Sequence, residues 1–374
     1  MSVSHQEVRS ACVEAARAVA ALAARSGPAL DSDDAFPARE IEALSRHDLL
    51  RAPLPARLGG AGLAEPRRAR ALTLVLAALG GGCLPLARLY EGHVNALILI
   101  LRYGAPAQAR AAALRAQDGE LLAVWNTEGA QGVRLEPHGQ ALRLEGGKTF
   151  ASGAGFVRYP LITARAPSGA LLMVAPDAAK AQADLAGWRA QGMRASASGA
   201  VDFSGLVVDP QEIVGGPDDY HRQPLFSAGG SRYAAVHYGG IAALFDLARA
   251  HLVKAGRADD PHQAVRLGQA AIAVETARLW VFEAAQAAHL DDAEAAVAYV
   301  NLARLAVERA GLDVLELVHR SVGLTGFMRP HPIERLSRDL ATYLRQPAPD
   351  RALTDAARFL AGSQRPIAEQ WERR

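Results

Sequence analysis

The chain has 374 residues, half of them hydrophobic, and 41 basic against 39 acidic side chains give a net charge of +2. A chain of this length exceeds what one hydrophobic core usually supports, so we expect two or three domains. The apolar content excludes global disorder, and the lack of a basic block argues against nucleic acid as a partner. Lysine occurs only at positions 148, 180 and 254, so nearly all of the positive charge is arginine.

The two cysteines, Cys12 and Cys83, lack the spacing of a metal or redox motif, which argues against a zinc site and a disulfide framework. The N-terminal segment carries early charges and no uninterrupted apolar core, which is typical of an amphipathic helix and not of a signal peptide. The longest strongly apolar run, 94–101, is far shorter than the ~20 residues that span a bilayer. We therefore expect a cytoplasmic protein without a membrane span.

Apolar residues near the N-terminus recur with helical spacing. Val8, Cys12, Ala15 and Val19 are four, three and four positions apart, which places them on one helix face. The Pro- and Gly-rich segment 52–62 predicts a loop, and the glycines at 80–82 predict the interruption or end of a buried helix. Residues 1–118 are therefore predicted to form a helical domain.

Short strand-like runs follow, separated by Gly and Pro turns: 121–128, 141–144, 161–166, 170–175 and 200–208. This spacing predicts an antiparallel sandwich or barrel over residues 119–226. Residues 227–374 then carry three long patterns with alanine-rich stripes, one of which begins at the helix-start signal Asp260-Pro261, and two shorter helices near 333–344 and 350–360. The predicted fold class is α+β, with a helical domain, a β domain and a helical bundle in that order.

Several local patterns lie along this frame. They are a Phe-Pro helix start at 36–37, a loop at 49–62, Trp-Asn-Thr-Glu at 125–128, Gly-Gly-Lys-Thr-Phe-Ala-Ser-Gly at 146–153, Gly-Leu-Thr-Gly-Phe at 323–327 and Pro-Ile-Glu-Arg-Leu-Ser-Arg-Asp at 332–339. In this order and spacing they resemble the acyl-CoA dehydrogenase superfamily of flavoproteins over nearly the whole chain. The resemblance implies the fold just predicted, an FAD cofactor, and an acyl thioester or another small molecule as substrate.

The resemblance also implies which residues hold the flavin. Thr127 would face the pyrimidine edge of the ring, Ser152 would donate to the flavin N5, and Trp125 and Phe150 would be walls near the ring. Taken by themselves, the two aromatic residues would be ordinary β-domain core, and Thr127 and Ser152 would cap turns. For the phosphates and the adenine, the resemblance points to four positions in the bundle: Arg257, Arg320, Gly323 and Gly326.

The sequence departs from the family at the substrate. Where the family usually has a Ser-Asp pair that helps to hold the acyl-CoA, this chain has Val133 and Arg134. The position of the family's catalytic glutamate, nine residues past Arg338, holds Pro347, which cannot accept a proton. The second place where relatives keep a base holds Ser231 followed by an arginine. Asp350 is the remaining candidate, although capping of the helix that follows explains it more simply.

Three functions stay open at this point. The first is an FAD-dependent oxidoreductase that acts on the CH–CH group of an acyl-CoA or carrier-bound acyl thioester. The second is a flavin-dependent monooxygenase of the same fold, which needs no base at the α-carbon, and the third is a non-catalytic partner subunit. We expect a homodimer or homotetramer, because the helix face with Ile272, Leu279 and Phe282 has apolar surface to bury, and an electron-transfer or flavin-reductase partner is possible. We expect no metal site, a structural ion pair between Arg338 and Asp339, and surface or packing roles for His319 and His331.

Overall fold

The computed structural model describes residues 5–371. Its helices, in chain order, are α1 His5–Ser26, α2 Ala38–Arg46, α3 Ala69–Gly82, α4 Leu84–Tyr103, α5 Pro106–Gln117, α6 Leu225–Lys254, α7 Pro261–Ala287, α8 Ala293–Val322, α9 Pro332–Tyr343 and α10 Pro349–Gly362. Its strands are β1 Leu122–Trp125, β2 Arg134–His138, β3 Ala141–Glu145, β4 Gly147–Ala151, β5 Tyr159–Arg165, β6 Leu171–Val174, β7 Gln182–Asp184, β8 Gly199–Asp202, β9 Val207–Val208 and β10 Ile213–Val214. The predicted order of a helical part, a β part and a helical bundle is confirmed.

The strands form two sheets. A seven-stranded sheet has the order β10-β6-β5-β2-β3-β9, with β1 also paired to β5, and a three-stranded sheet has the order β4-β8-β7. The expectation of a wholly antiparallel layout is wrong for two pairs, because β1 and β2 both run parallel to β5. The predicted boundary at 118/119 falls between α5 and β1, and the one at 226/227 falls in the first turn of α6.

Helix α4 lies at the centre of the fold. It is the one helix within residues 5–371 that is long and apolar enough to cross a membrane. Within its most apolar stretch of 18 residues, 78% is buried inside the protein, as in the core helix of a globular domain. Its Tyr90 hydroxyl donates to the Leu49 carbonyl at 2.9 Å. The Leu122 N–H donates to His93 Nδ1 at 3.0 Å, so Nε2 carries the proton and donates to the Leu50 carbonyl at 2.7 Å. Helix α4 thus connects the loop that contains Leu49 and Leu50 to β1 through hydrogen bonds.

Glycines let three helices approach one another closely. A Cβ on Gly239 of α6 would lie 2.0 Å from the Ala77 carbonyl oxygen of α3, and one on Gly80 would lie 2.4 Å from the Val236 carbonyl oxygen. A Cβ on Gly82 would lie 2.4 Å from the Ala20 carbonyl oxygen of α1. The predicted glycine break at 80–82 is therefore the last turn of α3, where the helices pack backbone against backbone.

The bundle follows its sequence pattern closely. The Asp260 carboxylate accepts the Gln263 N–H at 3.0 Å and caps α7, as predicted. The exposed apolar face that was expected on α7 is only partly present. Ile272 and Leu279 are 70% and 53% exposed, but Phe282 is 7% exposed and packs beside Tyr238, so its inclusion in that face was wrong.

Candidate functional site

The strand expected to face the flavin is distorted at Phe150. The pairing of β4 with β8 shifts register between Lys148 and Ala151, and Phe150 has a left-handed backbone with φ of 51°. Its ring is 64% exposed and meets the edge of Trp188 at 6.5 Å. A large side chain with positive φ is strained, and such strain is concentrated at functional sites. Phe150 is therefore not core, and it is free to contact a ligand.

A buried lysine holds the loop that contains Thr127. Lys148 Nζ donates to the Asn126 carbonyl at 3.1 Å and lies 3.0 Å from the Glu128 carboxylate, and it also donates to Thr163 Oγ1 at 2.8 Å. Burial lowers the pKa of Lys148 despite the opposing effect of Glu128. Both neighbours of Thr127 are thereby fixed, and the Thr127 carbonyl accepts the Thr149 N–H at 3.0 Å. Thr127 itself is exposed.

Ser152 lies at the end of a chain of serine hydroxyls. Ser196 Oγ donates to the Met193 carbonyl at 2.7 Å, so the 2.8 Å bond to Ser198 uses the Ser198 hydrogen, and the 2.9 Å bond between Ser198 and Ser152 uses the Ser152 hydrogen. The role of Ser152 as a donor to a cofactor stays a prediction, and it requires this hydrogen to turn away from Ser198. Trp125 is 3% exposed and its Nε1 donates to the Ser152 carbonyl at 2.9 Å, so it supports this strand from within the core.

A second group of polar side chains lies between α4 and α6, and we call Arg88, Glu91, Asn95 and Arg232 the buried polar cluster. Glu91 Oε2 accepts a short hydrogen bond from Arg88, and its Oε1 accepts one from Asn95 Nδ2. Asn95 Oδ1 in turn accepts from Arg232 Nε. The Glu91 side chain is 3% exposed and that of Arg88 is 27% exposed. Burial lowers the pKa of Arg232 to about 10.

Aromatic residues and a third arginine surround the buried polar cluster. Arg304 of α8 lies 5.6 Å over the Tyr233 ring, and its Nη2 donates to the Pro347 carbonyl at 2.6 Å. The ring of His237 meets that of Tyr343 edge-on at 4.5 Å. Burial, with smaller contributions from the charges of Arg304 and Arg88, lowers the pKa of His237 to about 3, so both arginines act on the same buried imidazole.

Helix α4 also connects this cluster with the β domain. Its residue Leu89 lies against the end of β4, where a Cβ on Gly153 would be 3.3 Å from Leu89 Cδ2. The end of β4, with Ser152 directly after it, and the cluster with Arg88 and Glu91 thus both contact the same helix.

Four of the substrate and catalytic candidates have the following surroundings, and their roles stay predictions. Val133 is 2% exposed in the main core and Arg134 is exposed, donating to the Gln131 carbonyl. Ser231 is buried and donates to the Ala228 carbonyl within α6 at 2.8 Å. Asp350 is exposed in the first turn of α10 without capping it, because that helix already begins at Pro349. The expectation that Asp350 is an N-cap was wrong.

The phosphate-binding candidates share one end of the bundle. Arg257 is exposed in the loop between α6 and α7, and Arg320 is exposed near the end of α8, 3.0 Å from Glu316. Gly323 ends α8 with φ of 74° and has open space around it, whereas a Cβ on Gly326 would lie 3.2 Å from Val322 Cγ1. Gly326 therefore serves close packing within this chain.

Arg338 and Asp339 do not pair with each other, which corrects the expectation. Arg338 Nη2 binds Asp31 and Glu334 at 2.6 and 2.8 Å, and Asp339 accepts the Met193 N–H at 2.6 Å. His319 Nε2 lies 3.0 Å from Ser337 Oγ, and His331 Nδ1 accepts the Ile333 N–H, so both histidines pack within the fold. Within residues 5–371, no group of three or more His, Cys, Asp or Glu side chains could hold a metal ion.

Sequence reasoning missed the buried polar cluster and Lys148. Arg88, Glu91 and Asn95 are three and four positions apart in an otherwise apolar helix, and this spacing of charges on a buried helix was the available signal. Lys148 was marked by the rarity of lysine in this chain.

Comparison with known proteins places this geometry in a family. The N-terminal domain of acyl-CoA dehydrogenases matches residues 3–120, and the C-terminal domain of acyl-CoA dehydrogenases matches residues 229–344. A 3-sulfinopropanoyl-CoA desulfinase of Paraburkholderia xenovorans (strain LB400) is 26% identical over 336 residues, which cover 83% of this chain and 84% of that protein.

Solved structures of other proteins have the same fold. The dibenzothiophene monooxygenase TdsC of Paenibacillus sp. A11-2, also solved with FMN bound, superposes with a TM-score of 0.85 at 18% identity, over 96% of this chain and 100% of that one. A glutaryl-coenzyme A dehydrogenase in complex with glutaryl-CoA superposes with a TM-score of 0.83 at 20% identity, over 97% of this chain and 96% of that one. Because the two family domains together match more than half of the chain, the chain belongs to the acyl-CoA dehydrogenase superfamily.

Proposed function

We propose that this protein is a flavin-dependent monooxygenase that acts on a small organic substrate held between α4, α6 and α8. The observation that carries the proposal is the chemistry at the two places where the family resemblance puts the base. Pro347 occupies one, and its carbonyl accepts a hydrogen bond from Arg304. Ser231 and Arg232 occupy the other. Abstraction of an α-proton needs an acceptor, and a guanidinium group has none to offer.

Glu91 is a carboxylate in this region, and it is poorly suited to be the base. Both of its oxygens already accept hydrogen bonds, one from Arg88 and one from Asn95. We assign Glu91 a positioning role, in which it holds Arg88 and Asn95 and, through Asn95, Arg232.

The β domain offers surfaces that fit a flavin ring. Phe150 presents an exposed aromatic face, and Thr127 is exposed between two anchored neighbours. In the proposed function, Phe150 covers one face of the ring and Thr127 meets its polar edge. Reduced flavin bound there would supply the two electrons for the reaction of dioxygen, in which one oxygen atom enters the substrate and the other leaves as water.

FAD remains the predicted form of the cofactor, and FMN is the alternative that the FMN-bound TdsC structure raises. FAD would place its diphosphate at the bundle end near Arg257, Arg320 and Gly323, where a second copy of the chain could complete the site. The exposed Ile272 and Leu279 support a homodimer or homotetramer. Chromatography of the flavin released by heat identifies the cofactor, and light scattering gives the assembly; extraction of FMN would refute the FAD prediction.

The reaction class is tested by two assays on the flavin-loaded protein. In air, with NADH and an external flavin reductase, we expect a product that contains one added oxygen atom from a panel of small sulfinates and aromatic compounds. Under anaerobic conditions, we expect no bleaching of the oxidised flavin by a chain-length series of acyl-CoAs. Rapid anaerobic bleaching would refute the proposal, and its loss in Glu91→Gln would identify Glu91 as the base of a dehydrogenase.

A desulfinase is the second candidate, favoured by the arginines of α4, α6 and α8 and by the relative of that name. A desulfinase would cleave the C–S bond of 3-sulfinopropanoyl-CoA with water, which gives sulfite and propanoyl-CoA and needs neither oxygen nor an external reductant. Sulfite released under anaerobic conditions would therefore select this candidate over the monooxygenase.

A further inference from the structure

We propose that the buried polar cluster and Arg304 form a subsite for an oxyanion of the substrate, a carboxylate, sulfinate or sulfonate. The inference rests on the proposed function, because it names the substrate class of the same proposed site. It starts from a charge imbalance between three arginines and the carboxylates around them.

The carboxylates in this region are already paired. Glu91 binds Arg88, and Glu308 lies 3.3 Å from Arg345. Within residues 5–371, no carboxylate oxygen lies within ion-pair distance of Arg232 or Arg304. Arg232 reaches a neutral amide, that of Asn95, and Arg304 reaches a carbonyl.

Guanidinium groups in such surroundings favour an anionic ligand. Removing a charge from water is costly unless an opposite charge or several acceptors replace the lost hydration. Burial lowers the pKa of Arg232, which reflects this cost at that residue. A planar or tetrahedral oxyanion accepts several N–H donors at once, and arginine is the side chain best shaped to provide them.

A buried hydroxyl without a hydrogen-bond partner lies beside the buried polar cluster. Tyr343 is 6% exposed, and its Oη has no hydrogen-bond partner in the described part of the chain. Burial raises the pKa of Tyr343, with smaller effects from the charges of Glu91 and Arg88, so the phenol is a neutral donor beside the cluster. Buried hydroxyls are normally hydrogen-bonded, and an oxyanion bound beside the buried polar cluster would supply the missing acceptor.

The subsite is tested by binding, without turnover. The purified protein is titrated calorimetrically at constant ionic strength with methanesulfinate and propionate, and with the neutral analogues dimethyl sulfoxide and propionamide. We expect saturable binding of the anions and at least tenfold weaker binding of the neutral compounds. We expect Arg232→Gln and Arg304→Gln each to weaken anion binding roughly 10- to 100-fold, as for a lost hydrogen bond to a charged group.

Matched variants separate binding from folding. Arg249→Gln removes an exposed arginine of the same helix, 2.9 Å from Asp246, and should leave the affinity unchanged. Tyr343→Phe keeps the ring and removes the unpartnered hydroxyl, and should weaken binding several-fold even if the arginine variants do not fold. Equal affinity for anions and neutral analogues, or unchanged anion affinity in Tyr343→Phe and the arginine variants, would overturn the subsite. Failure of the oxygenation assay alongside selective anion binding would refute the monooxygenase alone.

Discussion

Gly239→Ala tests whether the close crossing of α3 and α6 positions the candidate site. The new Cβ would lie 2.0 Å from the Ala77 carbonyl oxygen and 2.9 Å from the Gly81 nitrogen, and both atoms belong to helix backbone. Ordinary contact begins near 3.4 Å, so the helices must separate locally by about 1.4 Å. Overpacking of this kind costs roughly 1–3 kcal/mol, with backbone clashes at the upper end, and the better helix propensity of alanine offsets about 1 kcal/mol.

We therefore expect Gly239→Ala to lower the free energy of unfolding by about 2 kcal/mol. Gly268→Ala in α7 is the control, because its Cβ meets nothing within 4 Å, and it should stabilise the protein by about 0.5–1 kcal/mol. Urea denaturation followed by tryptophan fluorescence measures both. Since α6 also carries Arg232, the first variant should in addition weaken binding of methanesulfinate. Equal denaturation midpoints for the two variants would refute the reasoning.

Three further changes test other parts of the structure. Burial raises the pKa of Asp339 to about 6 from 3.8, so the native state binds its proton more tightly than the unfolded state and loses stability as pH rises from 4 to 6. The Asp339→Asn variant should abolish that loss, because its amide oxygen still accepts the Met193 N–H. Compared with the wild type, its free energy of unfolding should be higher by up to about 3 kcal/mol above pH 6 and unchanged below pH 4. Denaturation across pH measures both, and an equal increase at the two pH values would contradict this. Lys148→Met leaves the Asn126 carbonyl without its donor, so we expect the free energy of unfolding to fall by about 1–3 kcal/mol and flavin binding, measured by fluorescence titration, to weaken. The control variant Lys180→Met removes an exposed lysine and should produce neither effect. Ser152→Val removes a hydroxyl at the proposed ring site and should shift the absorption spectrum of bound flavin; an unchanged spectrum would contradict that placement.

The helical parts were predictable because their periodicity is long. The pattern of α7 extends over many turns and begins with Asp260, Pro261 and Gln263, which agree on the same helix start. The short strands were less predictable. Strand β4 carries a buried lysine and a register shift within five residues. The alternation of apolar and polar residues that predicts a strand is therefore interrupted in the segment that contains Phe150.

Only part of the candidate site could be predicted from the sequence, and the reason is physical. Phe150 is in β4 and Ser152 directly follows that strand, so their proximity is a local property of the sequence. The hydrogen bond between Asn95 and Arg232 joins residues 137 positions apart, and it depends on how α4 and α6 cross. The paired state of Glu91 also depends on this crossing, and a sequence alone does not show that a carboxylate is already engaged on both oxygens.

The two sides of α4 can change independently of each other. Arg88, Glu91 and Asn95 occupy one side of the helix, and Leu86, Tyr90, His93 and Leu97 occupy the side that is packed into the core. A substitution of Arg88 or Glu91 on the first side changes the proposed substrate site and leaves the hydrogen bonds of Tyr90 and His93 on the second side in place. Related chains can therefore acquire new substrates by exchanging a few side chains along a single helix, while the framework around the cofactor keeps its shape.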